Sequence, residues 1–266
     1  VNVGDAINGS DNAADTLLGG AGNDTITGGS GTVIDVADLS QMPSATGLVT
    51  STGNLTVNLA NGTSVDASGL LGTDTLVGIE GVKTGSGSDS VVGSSAANSI
   101  STGAGNDTVD GGLGADTIDA GAGDDTIVFD LLDSIVGGNG TDTLLIPASS
   151  TLNLSDTVFP NGSPPQVSQV EKISLAEQSD VLLGTKFIEA MVGGTSGTIT
   201  VEGAAGTHLS LVNPDPTAPI WFRDATASPP TGYTAYKTGN LSVMVANMVN
   251  VGDAINGSDN AADTLL

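Results

Sequence analysis

Cysteine is missing altogether from the 266 residues, and basic residues nearly so: five Lys and Arg stand against thirty Asp and Glu, a net charge of −25. Disulfides therefore cannot hold the fold together, and the surplus negative charge repels nucleic acid and anionic membranes while attracting divalent cations. Aromatic residues make up only 3%, too few for the thick interior of an ordinary globular domain, so a thin, repetitive core is expected. No run of about 18 apolar residues occurs, so no membrane span is expected. The most apolar stretch, 241–251, is broken by Asn247 and Asn250. His208 is the only histidine, which excludes an HExxH zinc helix, and no GxSxG nucleophile elbow is present. No enzyme is expected.

What the sequence does have is a period. Over residues 84–128 a nine-residue unit runs five times without a gap: TGSGSDSVV, GSSAANSIS, TGAGNDTVD, GGLGADTID and AGAGDDTIV. Its sixth position is Asp89, Asn98, Asp107, Asp116 and Asp125 in turn, and its eighth is always β-branched and apolar: Val91, Ile100, Val109, Ile118 and Ile127. Each unit thus reads as a glycine turn followed by a short strand whose middle residue faces inward. A flexible glycine linker would not keep apolar β-branched residues at a fixed place.

A chain returning on itself every two units stacks residue i over i+18, with strands about 4.8 Å apart. Asp89 then lies over Asp107, Asp107 over Asp125, and Asn98 opposite Asp116. Bare carboxylates at that spacing repel by roughly 1 kcal/mol per pair in water and by several times that in a shielded groove, so the ladder calls for cations. Calcium suits it, because a hard cation takes about 6–8 oxygens and glycine turns offer carbonyls beside each carboxylate. The period of nine or eighteen also accounts for the paired carboxylates, which a glycosidase would require for another reason.

These units resemble the GGxGxDxUx pattern of the repeats-in-toxin (RTX) calcium-binding family. The resemblance implies an all-β fold, a right-handed parallel β-roll or β-solenoid, with calcium held in the turns between coils. It also implies export by a type I secretion system. The expected ligands are Asp89, Asp107, Asp116 and Asp125, with Asn98 a neutral substitute. Carbonyls of Gly85, Gly87, Gly103, Gly105, Gly112, Gly114, Gly121 and Gly123, or of their turn neighbours, complete the shells.

Along the chain, residues 1–36 read as a short glycine-repeat roll, with Asp15 and Asp24 at sixth positions. Val33 and Ala6 fall eighteen residues from these two, so both ladders should be incomplete at this end. Residues 37–83 read as a larger-looped solenoid segment, with Leu55, Val57 and Leu59 alternating ahead of a turn at Asn61–Gly62. The main calcium roll spans 84–146. Asp142 follows Asp125 by 17 residues rather than 18, which either a turn absorbs or which ends the roll. Residues 147–248 lack the unit but hold strand-like runs, most large aromatics and many prolines, and are expected to form a further β-rich cap or interaction unit.

Residues 249–266 repeat residues 1–18 letter for letter, so the parent protein is expected to be periodic every 248 residues, with 249–266 opening the next copy. The expected function is a calcium-stabilised structural repeat of a long secreted bacterial surface protein or extracellular filament, of adhesin, surface-layer or matrix type. Its expected partners are other copies of the same module. A second reading makes 147–248 a carbohydrate- or surface-binding adhesin domain for cell-surface polysaccharide, with Trp221, Phe222 and Arg223 as its platform.

Overall fold

The computed structural model describes residues 4–44, 47–69, 71–154, 166–194, 196–204, 207–212, 222–223, 229–231, 233–238, 240–246 and 249–251. The chain forms two compact units, Val1–Asp142 and Thr143–Leu266. Both are built chiefly of parallel strands, as expected for a β-roll or solenoid.

The first unit opens with β1 (Ala6–Asn8), β2 (Thr16–Leu18), β3 (Thr25–Thr27) and β4 (Val36–Asp38). Two excursions follow. One is the hairpin β5 (Gln41–Ser44) and β6 (Gly47–Thr50); the other is the antiparallel run β7 (Leu55–Asn58), β8 (Thr63–Asp66) and β9 (Thr73–Val77). The regular roll is then β10 (Gly81–Ser86), β11 (Ser90–Ser94), β12 (Ser99–Ala104), β13 (Thr108–Gly112), β14 (Thr117–Ala122), β15 (Thr126–Val128) and β16 (Ser134–Asn139).

Successive strands alternate between two sheets. Strands β7, β11, β13 and β15 lie side by side in one, and β4, β10, β12, β14 and β16 in the other. Ser90 pairs with Thr108 and Thr108 with Thr126, while Ser99 pairs with Thr117, the register of an 18-residue coil. The eighth-position residues fill the space between the sheets: Val109, Ile118 and Ile127 are fully buried, and Val91 and Ile100 nearly so. Each strand gives this interior one branched apolar side chain, joined in β10, β12 and β14 by the buried Thr84, Thr102 and Ala120, so a protein almost without aromatics can still close a core.

The second unit contains β17 (Thr143–Ile146), β18 (Thr151–Leu154), β19 (Gln166–Ser168), β20 (Lys172–Leu175) and β21 (Asp180–Gly184). After helix α1 (Thr185–Met191) come β22 (Ser196–Gly203), β23 (His208–Val212), β24 (Phe222–Arg223), β25 (Tyr233–Thr238), β26 (Asn240–Ala246) and β27 (Asn250–Val251). Here too the coils are parallel but longer. Lys172 pairs with Thr143 and with Thr200, and Asp180 with Thr151 and with His208, steps of 28 to 29 residues. The strand-like runs expected in this region are seen at Gln166–Ser168, Lys172–Leu175, Ser196–Gly203, His208–Val212 and Asn240–Ala246, the walls of these coils.

The extra length makes room for helix α1, whose Phe187, Ile188 and Met191 recur at helical spacing and are all fully buried. One sheet of this unit finishes with antiparallel β25 and β24 laid against β26. Trp221, which figured in the recognition reading, lies outside the described residues, as do residues 252–266.

Candidate metal centre

Two columns of carboxylates run through the first unit, one beside each sheet. Asp89, Asp107 and Asp125 are stacked as the 18-residue period requires, and each is at most 2% exposed. The rungs are not bare, however. The backbone N–H of Asp89 donates to Asp107 Oδ1 at 2.7 Å, that of Asp107 to Asp125 Oδ1 at 2.8 Å, and that of Asp125 to Asp142 Oδ1 at 2.9 Å. The other column repeats the pattern: Asn98 donates to Asp116 at 2.8 Å and Asp116 to Asp133 at 3.0 Å. Peptide dipoles thus answer one oxygen of each carboxylate, which removes part of the repulsion that the sequence alone suggested.

The ladder also continues where the 18-residue rule put gaps. Asp15 is matched not with Val33 but with Asp35, 20 residues on, and Asp24 is met not by Ala6 but by Asp5, 19 residues before it. Asp24 in turn donates to Asp74 Oδ1 at 2.9 Å across the excursions, and Asp35 donates to the Glu80 carboxylate. The expectation of incomplete ladders at this end is therefore wrong: glycine turns absorb one or two extra residues while the Asp stays just ahead of its strand. Turns absorb losses too. Both 17-residue steps, Asp116 to Asp133 and Asp125 to Asp142, keep the pairing. Asp5, Asp35, Asp74, Glu80 and Asp133 are rungs that a fixed spacing missed; an acidic residue immediately before a short strand was the signal for all but Asp74, which lies within β9.

The second carboxylate oxygens are a different matter. Those of Asp24, Asp89, Asp107, Asp116 and Asp125 are buried without a hydrogen-bond partner. The hydroxyls of Thr84 and Thr102 lie beside Asp89 and Asp107, but each gives its one proton to a carbonyl, that of Thr102 and of Ala120. A buried, unanswered carboxylate oxygen is costly, and it shows in the acidities. Burial pushes Asp89, Asp107 and Asp116 upward, Asp125 to about 6 and Asp133 to about 7. Neighbouring charges add to this, Asp107, Asp142 and Asp124 around Asp125, and Asp116, Asp130 and Asp110 around Asp133, while the donated N–H groups pull back only part.

Asn98 is the exception. Its Oδ1 accepts the Ser94 N–H at 2.7 Å and its Nδ2 donates to the Glu80 carbonyl at 2.8 Å, so this neutral rung satisfies itself.

The glycine turns supply backbone oxygens at close quarters. A Cβ placed on Gly103 would overlap the Gly85 carbonyl oxygen, and one on Gly121 that of Gly103. The same holds for Gly105 above Gly87 and Gly123 above Gly105. At Gly105 the backbone also has φ of 127°, which a side chain would strain. At Gly112 and Gly114 the oxygens met are those of Ser94 and Ala96. Among the described residues no three His, Cys, Asp or Glu side chains converge, so a cation here must take most of its ligands from these carbonyls. Unanswered carboxylate oxygens and carbonyl-lined turns form an all-oxygen donor set, which fits a hard cation such as calcium.

In the second unit the corresponding places, just ahead of β21 and β23, hold Ser179 and Thr207. Both are buried, and each hydroxyl closes its own turn onto a carbonyl three residues back. No charge needs neutralising at these rungs. Nineteen of the thirty acidic residues, but one of the five basic ones, lie in residues 1–142.

The model of the RTX calcium-binding nonapeptide repeat matches this chain in 4 copies, over residues 10–32, 84–118 and 108–131. No curated protein matches it. The matched segments are those whose carboxylates and glycines have just been described, and repeats of this family bind calcium. No helix among the described residues is long and apolar enough to cross a membrane.

Proposed function

We propose, from the premise that the chain carries RTX calcium-binding nonapeptide repeats, that it is a calcium-stabilised structural repeat of a long secreted bacterial protein. It works outside the cell, at the surface or in a filament, as part of an adhesin, surface layer or matrix. The observation that supports this is the column of buried carboxylates, each with one oxygen answered by the neighbouring coil and the other left unanswered. Asp89, Asp107, Asp116 and Asp125 would hold calcium through those oxygens, with carbonyls of the glycine turns beside them; Asp15, Asp24 and Asp142 extend the set toward the ends.

Bound calcium supplies positive charge between rungs that otherwise repel one another and resist burial. The carboxylates then hold successive coils in register, and binding free energy becomes folding free energy. Where calcium is scarce the −25 charge opposes collapse. Where it is plentiful the same charge gathers the ions. Tandem copies of such a unit extend and stiffen a molecule, since each contacts chiefly its neighbours.

Circular dichroism tests the reading. Stripping calcium from the purified chain at neutral pH is expected to remove a large part of the β signal, and restoring calcium to recover it. A spectrum indifferent to calcium would refute the proposal.

A further inference from the structure

The last strand of the second unit is made of the first residues of the repeat. Residues 249–251 read Val-Asn-Val, as do residues 1–3, yet here they are built into the final coil. Asn250 pairs with His208 and Val251 with Leu209, in parallel. Val249 is buried, lies close to Gly203 and donates its N–H to the Ala246 carbonyl. In a periodic parent, the opening three residues of each copy therefore belong structurally to the copy before it.

The next step is short. In the repeated sequence only Gly4 and Asp5 separate Val3, the counterpart of Val251, from Ala6, where β1 begins. Three residue steps span at most about 11 Å, little more than two strand spacings. No linker fits between one copy's last coil and the next copy's first.

The two ends are open in a matching way. At the end of the second unit β25 covers the edge of β26, but β27, last in the other sheet, has a partner on one side only among the described residues. At the start of the roll, β1 and β2 are edge strands, paired among the described residues only with β3 and β4. Ile7 on β1 is only half-buried, whereas its neighbour one coil on, Ile26, is fully buried. Uncovered parallel edges invite further strands, and a finished cap would have covered both sheets.

Resting on the tandem reading above, we propose that consecutive copies join without a linker: the opening coil of each stacks on the open edge of β27 of the one before, and a second copy of this same repeat is the partner both edges fit. The test uses a calcium-loaded chain of two consecutive periods, the second copy isotopically labelled so that hydrogen exchange of the two is read separately. Amides matching Ala6–Asn8 and Thr16–Leu18 are expected to exchange about tenfold more slowly in the second copy than in the first. Inserting Gly-Gly-Ser-Gly between Val251 and Gly252 leaves every residue of both copies in place and is expected to abolish the difference. Equal exchange in the two copies without the insertion would overturn the proposal. Whether the parent is tandem at all is read separately, from the mass and peptide map of the native protein, so that failure of either idea is told apart from failure of the other.

Discussion

Stripped of calcium, the roll should become more stable as the solution is acidified, the reverse of ordinary acid denaturation. The carboxyls concerned are raised in the folded chain: Asp125 and Asp74 to about 6 and Asp133 to about 7, from 3.8. A group whose folded value is raised contributes its full stability below the unfolded value, and that contribution is lost as pH climbs through the folded one. The window therefore runs from about pH 4 to pH 7. Moving a carboxyl from 3.8 to about 6 disfavours its ionised form by about 3 kcal/mol, and to about 7 by about 4 kcal/mol. Because these groups interact, the penalties do not simply add, but even half the combined figure is comparable to the whole stability of a domain, about 5–15 kcal/mol. Thermal unfolding followed by circular dichroism, in buffer freed of metal by resin, should show the transition falling steadily between pH 4.5 and 7.5. With millimolar calcium the slope should reverse, since protons then compete with the ion for the same oxygens. A calcium-free transition that is flat or rises over that range would refute the link between the unanswered oxygens and folding.

Asp125→Asn keeps the acceptor for the Asp107 N–H and places an amide where Asn98 already has one, so it should raise calcium-free stability at neutral pH by about 1–3 kcal/mol while shrinking the stabilisation that calcium adds. Urea unfolding with and without calcium measures both effects. Asp107→Ala should cost about 2–4 kcal/mol in calcium, because it orphans the buried Asp89 N–H and removes a rung with carboxylates on both sides; Asp15→Ala, only half-buried, should cost less than about 1 kcal/mol. Equal losses in a paired denaturation experiment would contradict the ladder. Gly105→Ala puts a methyl against the Gly87 carbonyl and should weaken calcium binding, read by isothermal titration, at least about tenfold.

The regular roll was legible because position and chemistry coincide there: β-branched residues at the eighth place and acids at the sixth leave a single register, the one seen for Ser90, Thr108 and Thr126. Reading broke down where geometry counts turns and the sequence counts residues. Asp15 finds Asp35 and Asp24 finds Asp5 because a glycine bend tolerates a residue more or less without moving the strand that follows, so a fixed offset of eighteen could not locate them. Asp133 was hidden in the same way, inside the eight-residue segment 129–136, which has no glycine turn. The second unit was harder for a different reason. Its coils, of 28 to 29 residues and then of 42 to 44, carry no repeated letters, only alternation, and alternation reveals strands without revealing which strand each will lie beside. Helix α1 went unread because its three apolar residues sit among strand-forming runs, and seven residues are too few for a period to stand out.

The backbone N–H groups that donate to the ladder's carboxylates all point one way. From Asp5 to Asp24, Asp15 to Asp35, and so through Asp125 to Asp142, the amide lies in the earlier coil and the carboxylate in the later one. The column therefore has a direction: each carboxylate rung receives an N–H from the coil before it, while at Asp5 and Asp15, where the roll begins, no earlier coil among the described residues supplies one. Two rolls brought together by these ends would set carboxylate against carboxylate, so a self-closing pair through that face is disfavoured.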